Sequence, residues 1–394
     1  MARSIPALVK PELLVWARES AGILSSHRAA ELAGIDAITL QEWESGHDVP
    51  SLAELRKLGE IYKRPIAVFF LAEPPRRFDA QREFRRLAGT VPGKESPELL
   101  LALRWSVFRR EAAIELHRLS GESPERLQAT LHPTMDPEDA GGRIRTLLGV
   151  TWDEQVEWAS AYMALNRWRA AMEARGVLVF QSSEALLEEM RATCIPDQPL
   201  PVILLNARDA PHGRVFSLLH EFSHILLHAG GHQTSRMAGE RSPEEQPLEV
   251  AANAFAAAAL LPRDAFTELV RQYRGALRGE DEALRNLAQR VKVSPEVILR
   301  RLATLGLASE EVYRRKREAW GVRLWYVSAP SSGGPPVQVK TIAKDGPAYT
   351  RLVLDAYDQR VINTSEASDY LGVKPCHFPN IRRELLDRPV LSNV

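Results

Sequence analysis

Apolar positions follow a helical repeat over most of this 394-residue chain. Between residues 11 and 72, the stretches PELLVWARESAGI, SSHRAAELAGI, AITLQEWESG and SLAELRKLGEIY space their apolar residues three and four apart, which predicts four or five short helices. Gly22, Gly34 and Gly46 suit the left-handed position that ends a helix, and Ser51 suits an N-cap. Pro74, Pro75, Pro92 and Pro97 then mark a linker, before helical patterning resumes from Ser96 to about Gly121 and from Asp136 to Arg175. Two β-branched runs bounded by turn residues, GVLVFQ (176–181) and PVILLN (201–206), read as strands. Next come a helix containing FSLLHEFSHILLH (216–228), a polar loop over 229–246 and an apolar helix over 247–261 ended by Pro262. Helices continue to about Trp320. The tail shows extended patterning in RLWYVS and VQVKTIAK on either side of APSSGGPP, then helices around AYTRLVLDAYDQ and TSEASDYLG, the latter with a capping pattern from Thr364 to Ala367. The expected fold class is multidomain and mainly α with small sheets. Its parts are a helical domain at 1–75, a helical linker region at 76–150, an α+β domain at 151–320 and a small C-terminal α+β accessory domain at 321–394.

One helix breaks its own apolar pattern. His220, Glu221 and His224 interrupt a run that buries Leu219, Ile225 and Leu226. Two histidines four apart lie one turn above each other and can both reach one ion. Glu221 sits about 100° round the helix, near enough to touch a water on that ion without being a ligand. Imidazoles suit zinc, and a catalytic zinc keeps one coordination position for water. A third protein ligand is then required. Glu249 is the best candidate, as the lone acid heading an otherwise apolar helix, where a buried carboxylate needs a partner. Asn253, four residues on, is a candidate to hydrogen-bond a liganding histidine and fix its tautomer. His228 and His232 extend the histidine series, but Leu227 and Gly230 stand where a metzincin needs Gly and His.

Composition narrows the setting without adding chemistry. With 45% hydrophobic and 26% charged residues the chain is globular, and 51 basic against 51 acidic residues give no overall pull toward nucleic acid or an anionic membrane. Cys194 and Cys376 are far apart, which argues for a reducing compartment and against a cysteine zinc cluster. The N-terminal MARSIPALVKPELLVWARES lacks a signal-peptide pattern, and no apolar run reaches the ~18 residues that span a bilayer. A cytoplasmic location is expected, with no membrane partner.

GVLVFQ, PVILLN, RVFSLLHEFSHILLH, LEVAANAFAAAALLP and VKVSPEVILRRLATLGLASEEVY together resemble the ImmA/IrrE family of bacterial zinc metallopeptidases, over roughly residues 155 to 318. The resemblance implies a gluzincin-like site with His220, His224 and Glu249 as zinc ligands and Glu221 as base, in an enzyme that cuts a specific repressor-type partner, often under stress or DNA damage. Family members often carry further acids near the asparagine; here Ala251 and Ala252 stand there, leaving Glu249 as the ligand choice. Residues 24–50, LSSHRAAELAGIDAITLQEWESGHDVP, are similar to the XRE/Cro type of helix-turn-helix, with Ala30, Gly34, Ile35 and Leu40 as core and turn. YKRPIAVFFLAEPP and REFRRL are typical of proteins that fuse the two modules.

The first module has weak nucleic-acid chemistry. Asp36, Ala37 and Ile38 occupy the start of its second helix, so Thr39, Gln41 and Ser45 are the candidate base readers. Residues 1–72 hold eight Lys/Arg against nine Asp/Glu, a poor match to a phosphate backbone. DNA, a protein partner and a second copy of the chain all stay open as its target. The expectation is a zinc-dependent site-specific endopeptidase acting on a regulatory protein. The alternative is a transcriptional regulator or antitoxin that binds a toxin and operator DNA, with its zinc site structural or little used. YRRKRE (313–318) reads as a solvated helix face, and Cys376 with His377 as structural.

Overall fold

The computed structural model describes residues 6–23, 25–73, 96–230, 246–320 and 334–386. Most of the linker, REFRRL, RLWYVS, His232 and nearly all of the polar loop after residue 229 lie outside the described residues. The protein is mainly helical with one small sheet. The described residues divide into two compact units, one formed by those up to 105 together with 184–190, the other by the remaining described residues.

In the first unit α1 (Pro11–Ser20), α2 (Ser26–Ala33), α3 (Ala37–Ser45) and α4 (Leu52–Ile61) enclose Leu14, Ala30, Leu40, Trp43, Leu55 and Tyr62. The punctuation expected from sequence is present. Gly34 and Gly46 take φ of +60° and +79° after α2 and α3, and Ser51 caps α4 in a reciprocal bond with Glu54. Glu44 turns inward, where its carboxylate accepts from Arg18 Nε at 2.7 Å and Nη2 at 3.1 Å. A single turn of 3₁₀ helix, Ile66–Phe70, closes this domain, and α5 (Pro97–Leu119) follows.

The second unit contains α6 (Pro137–Leu148), α7 (Trp152–Glu157), α8 (Ala161–Glu173), β1 (Leu178–Ser182), β2 (Ala192–Ile195), β3 (Val202–Asn206), α9 (Pro211–Ala229) and α10 (Gln246–Leu260). It continues through α11 (Arg263–Val270), α12 (Arg274–Leu277), α13 (Asp281–Val291), α14 (Pro295–Thr304) and α15 (Glu310–Trp320), then α16 (Val337–Asp345), α17 (Pro347–Asp358), α18 (Thr364–Leu371) and α19 (Phe378–Leu386). The sheet order is β1-β3-β2. β3 is the middle strand, parallel to β1 with Leu178 opposite Val202, and antiparallel to β2 with Cys194 opposite Ile203. All five β3 residues are buried, as expected of an apolar run with a partner on each side. β2 has only four residues and follows the helix-like EALLEEM, so its pattern gave no clear strand signal.

Two features differ from the sequence reading. VQVKTIAK is helical, not extended: Thr341, Ile342 and Asp345 bury one face of α16. Its final carbonyls are taken up by neighbours, Ala343 O accepting from Arg169 Nη1 at 2.8 Å and from Gln181 Nε2 at 2.9 Å. The Asp345 carboxylate meets Arg109 Nε at 2.8 Å with no side-chain exposure. These contacts outweigh the short alternation that suggested a strand. The cap of α18 is Asn363, one residue before the expected start, in a capping box with Glu366.

The placement of α10 depends on one close approach. A Cβ at Gly141 of α6 would lie 2.6 Å from the backbone of Ala258 and Ala259, whereas nothing lies within 4 Å of one at Gly142. Gly141→Val is therefore expected to destabilise the protein by about 1–3 kcal/mol. Gly142→Ala, with open space and a better helix former, should stabilise by about 0.5–1 kcal/mol. Urea unfolding midpoints of the two variants check this, and equal shifts would rule out the helix contact.

Candidate metal centre

α9 begins at Pro211, whose missing N–H costs nothing in the first helical turn. Asp209 folds back under this turn, close enough to Gly213 that a Cβ there would stand 2.7 Å from its carboxylate. At the far end Gly230 packs where a Cβ would be 2.5 Å from Leu131 O, and Leu131 N donates to Leu226 O at 3.1 Å. Between these anchors the helix buries Leu218, Leu219, Phe222, Ile225, Leu226 and Leu227. The histidine stripe is thereby aimed at α10.

The structure brings His220, His224 and Glu249 together, with their ligand atoms all within 4.8 Å of one another. The two Nε2 atoms are 3.2 Å apart. Glu249 Oε1 lies 3.1 Å from His224 Nε2, and Oε2 lies 3.7 Å from His220 Nε2. Tetrahedral zinc with bonds of about 2.0–2.1 Å sets its ligands roughly 3.3 Å apart. The residues present therefore fit that ion in type and spacing. Phe216, one turn earlier, stacks on His220 at 6.2 Å between ring centroids, and the two imidazoles meet edge to face at 4.7 Å. His224 is 1% exposed and Glu221 5%, so both are enclosed by protein, while His220 and Glu249 are half-buried.

Asn253 requires a correction. It is exposed, and its amide donates to the Glu249 carbonyl at 2.8 Å within its own helix, not to an imidazole. An asparagine four residues after a carbonyl can always close that local bond, and here it does. His228 is half-buried one turn beyond His224.

Sequence reasoning missed what fixes the far end of α10. Arg145 Nη1 donates to Ala259 O at 2.7 Å, Gln155 Nε2 to Leu260 O at 3.0 Å and Arg301 Nε to Leu261 O at 3.0 Å. Three side chains from α6, α7 and α14 thus satisfy carbonyls that a helix terminus leaves open, two of them cations facing the negative end of the dipole. Burial pushes Arg145 down to about 10, and Arg301 is matched by Glu138 at 2.6 Å. Their one sequence signal was a polar residue falling on a buried helix position.

On the helix-turn-helix, Gln41 and Ser45 are exposed on α3 and Thr39 is half-buried. Ser45 Oγ lies 3.1 Å from Glu42 O and 2.7 Å from His47 Nδ1. The Asp36 carboxylate accepts from Ile38 N at 3.0 Å and Thr39 N at 3.3 Å, occupying N–H groups at the end of the helix where a phosphate can dock. Ile38 beside them is 65% exposed.

Among the described residues no helix is long and apolar enough to cross a membrane. Residues 172–303 match the model of the IrrE N-terminal-like domain, Peptidase M78, and residues 14–69 match a helix-turn-helix model. A solved Mycobacterium tuberculosis transcriptional regulator is similar at 19% identity and a TM-score of 0.30, over 50% of this chain and 51% of that one. The chain thus spans about half the length of that structure. No curated protein sequence matches the chain. The protein joins a helix-turn-helix domain at residues 14–69 to a metallopeptidase-like domain of the IrrE N-terminal-like family at residues 172–303.

Proposed function

We propose that this protein is a zinc-dependent endopeptidase that cuts a regulatory protein partner, with its helix-turn-helix domain as the recognition module. The observation that carries this reading is the convergence of His220, His224 and Glu249, beside a buried glutamate on the same helix. Zinc bound by these three residues supplies Lewis-acid polarisation of a peptide carbonyl and of a water molecule. Glu221 takes the proton of the attacking water and returns it to the leaving amine, the work of a general base that becomes a general acid. Its burial, at 5% exposure, keeps bulk water away from it. His220 is oriented by Phe216 and His224 by the packing that encloses it.

A second reading rests on the first domain. Exposed Gln41 and Ser45 on α3 favour a transcription regulator in which the same metal centre serves only to hold α9 to α10. Glu221 separates the two, because a structural zinc has no use for a base. Glu221→Gln is expected to keep zinc and fold while slowing cleavage of the partner by about 10²–10⁴-fold, measured on the purified pair. Cleavage at the parent rate would remove Glu221 from the mechanism, whereas no cleavage of the partner by the parent protein would favour the regulator. Metal analysis should find one zinc per parent chain, and Glu249→Ala should weaken zinc binding by roughly 100-fold or more in a chelator competition. Undiminished affinity in that variant would take Glu249 out of the ligand set.

A further inference from the structure

The last two helices bury Ala367 and Leu371 of α18 and Phe378, Ile381 and Leu385 of α19. Gly372, Val373 and Lys374 join them. Gly372 ends α18 in the left-handed region at φ +64°, and Ser368 Oγ donates to Val373 O at 2.6 Å, tying the turn back to the helix it follows. Pro379 has no N–H to offer the Pro375 carbonyl one turn earlier. The second helix therefore opens as a turn of 3₁₀ helix, Pro375–His377, with Phe378 N–H donating to Pro375 O. α19 packs on α16 and α17, and Phe378 meets Tyr357 edge to face at 5.4 Å. Two short helices joined by a three-residue turn with glycine at its head, backed by a further helix, have the build of a helix-turn-helix.

The outer face of α19 carries readable chemistry. Cys376, Asn380 and Arg383 are exposed and recur four and three residues apart, so they share one face, with Lys374 exposed at its head. The side chains of Lys374, Asn380 and Arg383 make no hydrogen bond or ion pair with other described residues. The acid of α19, Glu384, is half-buried, and Asp355 and Asp358 of α17 are taken up by Arg382. The first domain offers less on α3, where Asp36 covers the leading N–H groups, Ile38 is exposed and Ser45 is bonded to its own neighbours.

We propose that α18 and α19 form a second helix-turn-helix that binds duplex DNA, with Asn380 and Arg383 reading base edges in the major groove and Lys374 resting on a phosphate. An amide makes paired hydrogen bonds to adenine, a guanidinium makes them to guanine, and one helix fits that groove. Residues 334–386 hold seven Lys/Arg against six Asp/Glu, so phosphate attraction contributes little and base contacts carry a large share of the affinity. The site depends on neither the metal centre nor its chemistry.

The test uses the full-length protein and a fluorescein-labelled pool of random-sequence duplex DNA, about two helical turns long. Anisotropy gives the affinity at several chloride concentrations, and bound duplexes are recovered and sequenced. The parent should bind saturably at low salt, enrich one short motif, and weaken with a slope of about −2 in log affinity against log salt. Arg383→Gln should bind the enriched duplex about tenfold more weakly and relax one position of the motif. Asn380→Ala should relax a different position. Lys374→Gln should keep the motif but lose about one unit of salt slope. All three side chains are exposed and unbonded, so these variants should melt with the parent. Absence of saturable binding or of any enriched motif in the parent overturns the proposal. So does parent-like binding and motif in all three variants, with the loss appearing in Gln41→Ala, which would put the DNA on α3.

Discussion

Two imidazole nitrogens 3.2 Å apart, with a carboxylate oxygen 3.1 Å from one of them, bring three donor atoms together at the spacing that one divalent cation would take. Without one, a proton on an Nε2 can bridge only one pair of these atoms at a time. With one, the same three atoms are a ligand set. The rest of the second unit can be understood as the means of holding two helices so that these atoms meet. His220 and His224 come from α9, Glu249 from α10, and neither helix can shift by half a turn without dispersing them.

The scaffold meets that requirement at the ends of the helices more than at the site itself. Leu131 and Gly230 pin one end of α9, and Asp209 under Gly213 sets the other. α10 is held flat against α6 by the bare backbone of Gly141, and its last carbonyls are held by Arg145, Gln155 and Arg301. These polar groups are buried, so each is tolerable only because its partner is present. Removing one side of such a pair leaves a stranded donor or acceptor. The precision of the centre therefore depends on residues that touch neither metal nor substrate.

How much of this could be read from sequence follows from how local each determinant is. His220 and His224 were legible because a helix fixes where a residue four positions on must lie. Glu249 was legible from chemistry, as a lone acid at the head of an apolar helix, although its meeting with the histidines is a tertiary fact. Gly34, Gly46 and Ser51 behaved as expected because caps are decided within one turn. Asn253 went astray because a local bond to its own helix competes with any distant partner. The α16 segment looked extended over the eight residues of VQVKTIAK, but its burial was decided by Arg109, Arg169 and Gln181, more than 150 residues earlier.

The central claim concerns three atoms, and a crystal structure of the zinc-loaded protein with anomalous data at the zinc edge addresses it directly. The account predicts one zinc peak per chain, about 2.0–2.2 Å from Nε2 of His220, Nε2 of His224 and a carboxylate oxygen of Glu249, with Glu221 nearby but not bonded to it. A zinc bound by Glu221 in place of Glu249, or absent from this trio while present elsewhere, would contradict it.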